Sequence, residues 1–255
     1  MNFEQSYRLW ARQVPMTALR DRVLALTDED WMESTDPHGQ TQTLPILFDD
    51  DYRHDGPSPR ALYETLGAVV EPVHRFVLER FPSGSRIVRS MLVRLCIGGS
   101  IPQHVDRGFS MPYVHRLHLP LVSRLGVTFT VGGESLGMRE GELWEINNVR
   151  HHGVENTSGH ARVHLIVDVS TPELEEIRTR DLVRFHEPLT IVANLSTWEM
   201  MQGRLSGKLL IERLESLIGE ITRWQEQHSQ RSSYAPAEPE PPPMVADRSP
   251  AGHGD

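Results

Sequence analysis

Residues 115–131 read HRLHLPLVSRLGVTFTV, and this stretch decides which kind of fold the chain can adopt. Polar and apolar residues alternate in His115–Val122 and again in Val127–Val131, and a short connection separates the two runs. A period of two is typical of β-strands, and so short a connection leaves no room for the helix that joins parallel strands. We therefore predict two strands of an antiparallel sheet here.

Similar runs lie on both sides of this stretch, separated by Gly, Pro and Asn residues. They are Ile87–Ile97, Gly141–Ile146 and Arg162–Val169. Several strands at close spacing indicate an antiparallel sandwich or jelly roll, because that architecture needs only short connections. The predicted fold is mainly β with flanking helices.

Two segments carry the three- and four-residue spacing of an amphipathic helix. One runs from Leu62 to Val77, with Ser58-Pro59 as its predicted start and Pro72 as a predicted kink. The other, Leu205–His228, is predicted to cover the core or to form the contact of a homodimer.

Composition restricts the classes of function. The 255 residues are 38% hydrophobic, which is sufficient for a core, and the net charge of -9 argues against a nucleic-acid or anionic-membrane partner. Cys96 is the only cysteine, so the chain has neither a disulfide framework nor a thiolate zinc site, as is usual in a reducing compartment. The N-terminus does not read as a signal peptide, and we expect a cytoplasmic protein that acts on a small molecule or a peptide.

His104-Val105-Asp106 is the first candidate for metal ligands. On a strand or its edge, residues two apart point to the same side, so an imidazole and a carboxylate can face one ion. The pair alone is not specific, because 13 histidines produce about one His-x-Asp by chance. A second copy, His253-Gly254-Asp255, lies in a proline-rich segment with almost nothing to bury. The first copy is favoured because it lies between two predicted strands.

A further ligand is expected ahead of the Arg162–Val169 run, where His151 and His152 are adjacent. Residues 147–151 read as a loop, whereas His152 begins the approach to the strand. The pattern favours His152 and leaves His151 as the alternative. Two imidazoles and one carboxylate on one side of an ion are the ligand set of non-haem Fe(II) oxygenases, which keep the opposite positions open.

Such an oxygenase also needs an anchor for a dicarboxylate cosubstrate. A buried arginine is suited to this role because its guanidinium pairs with a carboxylate through two N–H groups, and Arg162 is the candidate. Arg116 and His118 share one face of a predicted strand and are candidates for the end of the cosubstrate near the metal. Taken singly, either arginine is more often a surface ion pair.

Four segments in this order resemble the aspartyl/asparaginyl β-hydroxylase family of 2-oxoglutarate oxygenases. They are HVDRG at 104–108, RLHLPL at 116–121, GELWEINN at 141–148 and HHGVENTSGHARVHLIVDVSTPEL at 151–174. The resemblance implies a double-stranded β-helix, that is, a cupin-like jelly roll, and it selects His152 over His151. The animal aspartyl hydroxylase has a glycine where this chain has Asp106, so the sequence is closer to bacterial proline-hydroxylase-like members.

The resemblance also implies the residues of the site and the cofactors. Fe(II) would be held by the catalytic residues His104, Asp106 and His152, and 2-oxoglutarate would be bound by Arg162, Arg116 and His118. The implied activity is that of a 2-oxoglutarate-dependent non-haem iron dioxygenase. It would hydroxylate an amino acid or amino-acid residue, of Asp/Asn type or proline-like, and release succinate and CO2. The alternatives are another metal-dependent cupin-fold enzyme and a non-catalytic small-molecule-binding barrel.

Four regions are predicted along the chain. Residues 1–86 form a helical and strand support region, 87–174 the double-stranded β-helix catalytic core, 175–228 a C-terminal helical region, and 229–255 a disordered Pro-rich tail.

Overall fold

A computed structural model describes residues 4–31, 40–49, 54, 56–106, 110–181 and 219. The strands, in chain order, are β1 (Tyr7–Ala11), β2 (Thr41–Phe48), β3 (Ser58–Pro59), β4 (Arg86–Leu95), β5 (Ser100–His104), β6 (His115–Val122), β7 (Val127–Val131), β8 (Glu134–Leu136), β9 (Leu143–Ile146), β10 (His152–Asn156) and β11 (Arg162–Ser170). The helices are α1 (Thr17–Leu24), α2 (Ala61–Leu78) and α3 (Pro172–Asp181), and a 3-10 turn covers Met111–Tyr113.

The strands form two antiparallel sheets. The larger sheet has seven strands in the order β1-β9-β6-β11-β4-β2-β3, and the smaller sheet has four in the order β5-β10-β7-β8. Consecutive strands alternate between the sheets over much of the chain, which is the winding of a double-stranded β-helix. The predicted mainly β, jelly-roll fold is confirmed.

The larger sheet is covered on both faces, and β11 at its centre is buried at every position. Along β11, Val163, Leu165, Val167 and Val169 join one core cluster with the buried side chains of α1 and α2. Burial of each such side chain stabilises the fold by about 1.5–3 kcal/mol. The residues of opposite parity turn to the other face, toward the smaller sheet. Polar side chains at these alternate positions of β11 therefore lie between the two sheets, inside the barrel that the sheets form.

A second, smaller apolar cluster lies on this inner side. Its buried members are Leu95, Val127, Phe129, Val131, Met138, Ile146 and Val154. One of its members, Phe129, lies next to the polar side chains His118 of β6 and Arg162 of β11.

The predicted strands agree with the observed ones, and β6 and β7 have the predicted bounds. The predicted start of the long helix was wrong, because Ser58-Pro59 pairs with β2 as strand β3 and Arg60 is the N-cap of α2. The helix continues through Pro72.

The predicted boundary at residue 87 needs a correction. Strands β1 and β2 belong to the larger sheet, with Tyr7 opposite Ile146 and Thr43 opposite Val93, so the sheet does not begin with β4. Pairing between strands so far apart in sequence leaves no local signal. The predicted helix Leu205–His228, its dimer contact and the tail 229–255 lie outside the described residues, apart from residue 219. Within the described part of the chain, no helix combines the length and apolar character needed to cross a membrane.

Candidate metal and cosubstrate site

His104 and His152 are brought together by the pairing of β5 with β10. His104 ends β5, His152 begins β10, and the two residues are direct partners across the antiparallel strands. Their ring centroids lie 4.4 Å apart. Asp106, two residues beyond β5, places its Oδ1 3.7 Å from Nε2 of His104 and 3.6 Å from Nε2 of His152. One ligand atom from each residue lies within 4.8 Å of the other two.

Both imidazoles are oriented by backbone carbonyls two residues earlier in the chain. Nδ1 of His104 donates to the Pro102 carbonyl at 2.8 Å, and Nδ1 of His152 donates to the Arg150 carbonyl at 2.9 Å. A carbonyl only accepts, so Nδ1 of each ring carries a proton, and in the neutral imidazole Nε2 carries the lone pair that a metal ligand needs. Hydrogen bonds of this kind fix the ring of a metal-ligating histidine.

Gly153 allows the close approach of β5 and β10 at this point. The register between the two strands shifts after His152, since Val154 pairs with Ile101. A Cβ built on Gly153 would lie 2.7 Å from the Ile101 carbonyl oxygen, closer than real Cβ contacts come. Any larger residue would therefore push apart the strands that carry the two histidines.

The other oxygen of Asp106 is held by Arg116. Nη1 of Arg116 donates to Asp106 Oδ2 at 2.7 Å, while its Nε and Nη2 donate to Asp168 at 2.8 and 2.7 Å. Asp168, fully buried, also accepts from Nε of Arg89 at 2.7 Å. Burial alone would raise the pKa of Asp106, but the charge of Arg116 outweighs it and holds that pKa well below its usual range. Asp106 is an anionic side chain fixed with Oδ1 toward the imidazoles.

Arg162 is a buried cation on the same inner face. It is 1% exposed, and Nη2 donates to Nδ1 of His164 at 2.7 Å. Its Nε has no partner, and among the described residues no carboxylate forms an ion pair with it. Burial lowers the pKa of Arg162 to about 9, so the guanidinium remains protonated at neutral pH. A buried charge without a counterion is unfavourable, and the surroundings of Arg162 therefore favour an anionic ligand.

His118 and Phe129 lie between Arg162 and the cluster of His104, Asp106 and His152. The Phe129 ring centroid is 5.1 Å from that of His118, 6.4 Å from that of His152 and 5.7 Å from the Arg162 guanidinium carbon. Nε2 of His118 is buried and has no partner. Burial, and next the charge of Arg162, lower the pKa of His118 well below its usual range, so this ring is neutral. One apolar wall thus extends from the proposed metal ligands to the guanidinium.

The structure brings together most of the residues singled out in the sequence. His104, Asp106 and His152 form one cluster, whereas the side chain of His151 is exposed. Arg162 and His118 lie on the wall beside it. Arg116, predicted to bind the cosubstrate, makes three hydrogen bonds to Asp106 and Asp168.

Sequence reasoning missed His164, Asp168 and Phe129. His164 and Asp168 are both an even number of residues from Arg162 along an otherwise apolar strand, so alternation places all three on one face. This even spacing from Arg162 could have identified His164 and Asp168 from the sequence. Phe129 had none, because its place beside His118 depends on how the two sheets pack.

The donor set fits Fe(II). Two neutral imidazole nitrogens and one carboxylate oxygen on the same side are the set found in non-haem Fe(II) oxygenases. The side chain of His104 is 40% exposed, whereas those of Asp106 and His152 are 12% and 6% exposed, so the cluster opens to solvent beside His104.

Comparison with known proteins agrees with the fold. Residues 70–172 match the model of the family described as aspartyl/asparaginyl beta-hydroxylase. A 2OG-Fe(II) oxygenase family oxidoreductase from Burkholderia pseudomallei is 19% identical, with a TM-score of 0.50 over 66% of this chain and 85% of that chain. A prolyl-4-hydroxylase from Pseudomonas putida is 14% identical, with a TM-score of 0.42 over 66% of this chain and 93% of that chain. No curated protein sequence matches.

The double-stranded β-helix and the His-Asp-His cluster are those expected of the class predicted from the sequence, the 2-oxoglutarate-dependent non-haem iron oxygenases, and residues 70–172 match a family of hydroxylases. Within this class, the resemblance to the aspartyl/asparaginyl β-hydroxylase family is confirmed over residues 70–172.

Proposed function

We propose that His104, Asp106 and His152 bind Fe(II) and that Arg162 binds the distal carboxylate of 2-oxoglutarate. The single observation that supports this most strongly is the buried Arg162 guanidinium, which has no carboxylate partner among the described residues and shares one wall with the His-Asp-His cluster. A cupin-fold hydrolase has no need of such a group.

We further propose that the substrate is an amino acid or an amino-acid residue, of Asp/Asn type or proline-like. The description of the matching family supports an amino-acid substrate. The exposure of the His104 side chain supports an approach of that substrate from solvent.

When bound, Fe(II) and 2-oxoglutarate supply the oxygen chemistry, in which O2, 2-oxoglutarate and a C–H group of the substrate become succinate, CO2 and an alcohol. The protein holds and shields the reactants. The carbonyls of Pro102 and Arg150 orient the two imidazoles. Oδ1 of Asp106 faces the imidazoles, and its Oδ2 accepts a hydrogen bond from Arg116. The ligand set is thus fixed before an ion enters.

The wall of Phe129 and His118 sets the direction of the cosubstrate. With the keto acid at the metal and the distal carboxylate at Arg162, the carbon chain would lie along Phe129. Phe129 is 4% exposed, and it excludes water from the guanidinium, so the attraction between Arg162 and a carboxylate is little screened.

Arg116 and Asp168 have a positioning role in this proposal. Arg116 bridges Asp106 and Asp168, so the carboxylate of Asp106 cannot rotate without breaking a charge-assisted hydrogen bond. Arg116 therefore acts at the metal end of the site, where it holds Asp106, and it does not bind the cosubstrate.

Succinate formation tests the proposal. Purified Fe(II)-loaded protein is incubated with O2 and 2-oxoglutarate, alone and with free and peptide-bound Asp, Asn and Pro. We expect slow succinate release without substrate and faster release with the correct one, whose product gains one oxygen atom by mass. Binding of the metal with no effect of 2-oxoglutarate on its absorption spectrum would instead indicate another metal enzyme on the same barrel.

A further inference from the structure

His164 lies next to Arg162, the proposed cosubstrate anchor. It follows Arg162 by two residues on β11, so both side chains point into the barrel, and it is 1% exposed. Its ring packs edge to face with His118, with centroids 5.7 Å apart. His164 therefore lies where it can contact a ligand that is bound to Arg162.

The contact with Arg162 determines which nitrogen of His164 carries the proton. A guanidinium N–H can only donate, so Nδ1 of His164, 2.7 Å from Arg162 Nη2, is the acceptor. Burial, and next the charge of Arg162, lower the pKa of His164 well below its usual range, so the ring is neutral. A neutral imidazole that accepts at Nδ1 has its proton on Nε2. His164 therefore presents an Nε2–H donor.

This donor has no acceptor in the described part of the chain. Nε2 of His164 is buried without a partner, and so is Nε of Arg162. Buried donors are nearly always hydrogen-bonded in native proteins, so two such atoms on side chains in mutual contact point to a ligand with acceptor oxygens. A carboxylate has four acceptor positions and no donor, and can accept from both.

We propose that Nε2–H of His164 donates a hydrogen bond to the distal carboxylate of the cosubstrate, beside the Arg162 guanidinium. Arg162 and His164 together form a two-residue carboxylate site that selects dicarboxylic over monocarboxylic 2-oxo acids. The inference rests on the proposed function, because it assumes that a dicarboxylic 2-oxo acid occupies this pocket.

The rival role for His164 is purely structural, in which Nδ1 only holds Arg162 in place. Two substitutions separate these roles, since each keeps one nitrogen's function. His164→Asn keeps an acceptor near the position of Nδ1 and removes the distal donor, whereas His164→Gln extends an amide donor toward the position of Nε2 and loses the near acceptor.

Affinities for 2-oxoglutarate and for 2-oxopentanoate, which has a methyl group in place of the distal carboxylate, are measured by calorimetry on Fe(II)-loaded protein without oxygen. Loss of one charge-assisted hydrogen bond weakens binding by about 10- to 100-fold. We expect His164→Asn to show this loss for 2-oxoglutarate, to bind 2-oxopentanoate like wild type, and to keep its Fe(II) affinity. His164→Gln should retain more 2-oxoglutarate affinity than His164→Asn.

The opposite order, with His164→Asn near wild type and His164→Gln impaired, would overturn the inference and leave only the structural role. Failure of wild-type protein to bind 2-oxoglutarate would count against the proposed function itself, which is a different result.

A measurement on wild-type protein does not depend on how the variants fold. In Zn(II)-loaded, 15N-labelled protein, the Nε2–H resonance of His164 should shift on addition of 2-oxoglutarate and change little with 2-oxopentanoate. Equal responses to the two acids, or a proton found on Nδ1, would contradict the proposal.

Discussion

Arg162 is the residue whose removal should separate cosubstrate binding from metal binding. It is buried beside the proposed cosubstrate, and its hydrogen bond goes to His164. We expect Arg162→Ala to weaken 2-oxoglutarate binding by about 100-fold or more, because a charge-assisted bidentate contact is lost. Fe(II) affinity should change by less than about threefold.

Calorimetric titrations of both ligands check this expectation. Arg12→Ala is the matched control, because the Arg12 side chain is 75% exposed and should leave both affinities unchanged. Equal losses of Fe(II) and 2-oxoglutarate affinity in Arg162→Ala would show that the residue supports the fold of the site and not the cosubstrate.

Arg116→Lys tests whether Arg116 acts through Asp106. A lysine ammonium cannot reproduce the planar fork that bonds Asp106 and Asp168 together. We expect Fe(II) affinity to fall by about 10- to 100-fold, the usual effect of losing a residue that orients a ligand. A raised KM for 2-oxoglutarate with unchanged Fe(II) affinity would restore the direct cosubstrate contact expected from the sequence.

At the residue scale, sequence patterns could identify the candidates but not their contacts. His104-Val105-Asp106 and Arg162 stand out by spacing and by the family resemblance. The choice between Arg116 as a cosubstrate ligand and as the holder of Asp106 depends on strand register, which sets Arg116 opposite Asp168. No local pattern contains that information.

At the element scale, the iron ligands depend on the close pairing of β5 with β10. Gly153→Ala places a Cβ 2.7 Å from the Ile101 carbonyl, and the two strands must separate to accommodate it. We expect a loss of Fe(II) affinity of at least about tenfold together with a lower melting temperature, because His104 and His152 move apart. Gly137→Ala is the control, since its Cβ would meet only the Val127 carbonyl at 3.7 Å, an ordinary contact.

Thermal unfolding and Fe(II) titration of the two variants decide this point. If Gly153→Ala binds Fe(II) as tightly as Gly137→Ala does, strand spacing at Gly153 does not determine the geometry of the site.

The strands themselves could be predicted because alternation is a local property. β6 and β7 were found with their bounds, since each alternates and ends at a polar or glycine-containing turn. The pairing of β1 with β9 and the existence of strand β3 could not be predicted, because sheet order is set by contacts between distant segments. Ser58-Pro59 looks like a helix start in sequence, and only its partner Phe48 shows that it is a strand.

At the scale of the whole molecule, buried neutral histidines should make stability depend on pH. His74 on α2 is hydrogen-bonded to Ser90 Oγ at 2.9 Å, and burial lowers its pKa to about 4. Below the pKa of an exposed histidine, near ~6.5, the unfolded chain binds a proton that the folded protein does not. The free energy of unfolding therefore falls as pH is lowered from ~6.5 toward ~4, by about 1.4 kcal/mol per pH unit for this residue.

Urea unfolding between pH 7 and pH 5 measures this slope. His118 and His164 have lowered pKa values as well and contribute in the same direction. The carboxylates Asp106 and Asp168 do not contribute in this range, because their loss of stabilisation requires pH near or below the usual aspartate pKa of ~4. His74→Gln should reduce the slope of the free energy of unfolding against pH by the contribution of about one proton, that is, by about 1.4 kcal/mol per pH unit. An unchanged slope would show that His74 is not the group responsible.

The central claim is that the whole molecule is a 2-oxoglutarate-dependent hydroxylase and that His104, Asp106 and His152 hold its one Fe(II). Its most direct test is succinate release from 2-oxoglutarate by wild type, His151→Ala and His152→Ala, with Fe(II) content measured in each. The adjacent histidines differ in placement, since the His151 side chain is exposed and His152 faces Asp106 Oδ1 at 3.6 Å. The account predicts that His151→Ala retains Fe(II) and turnover and that His152→Ala loses both. Loss of succinate release in His151→Ala with near-normal release in His152→Ala would contradict it.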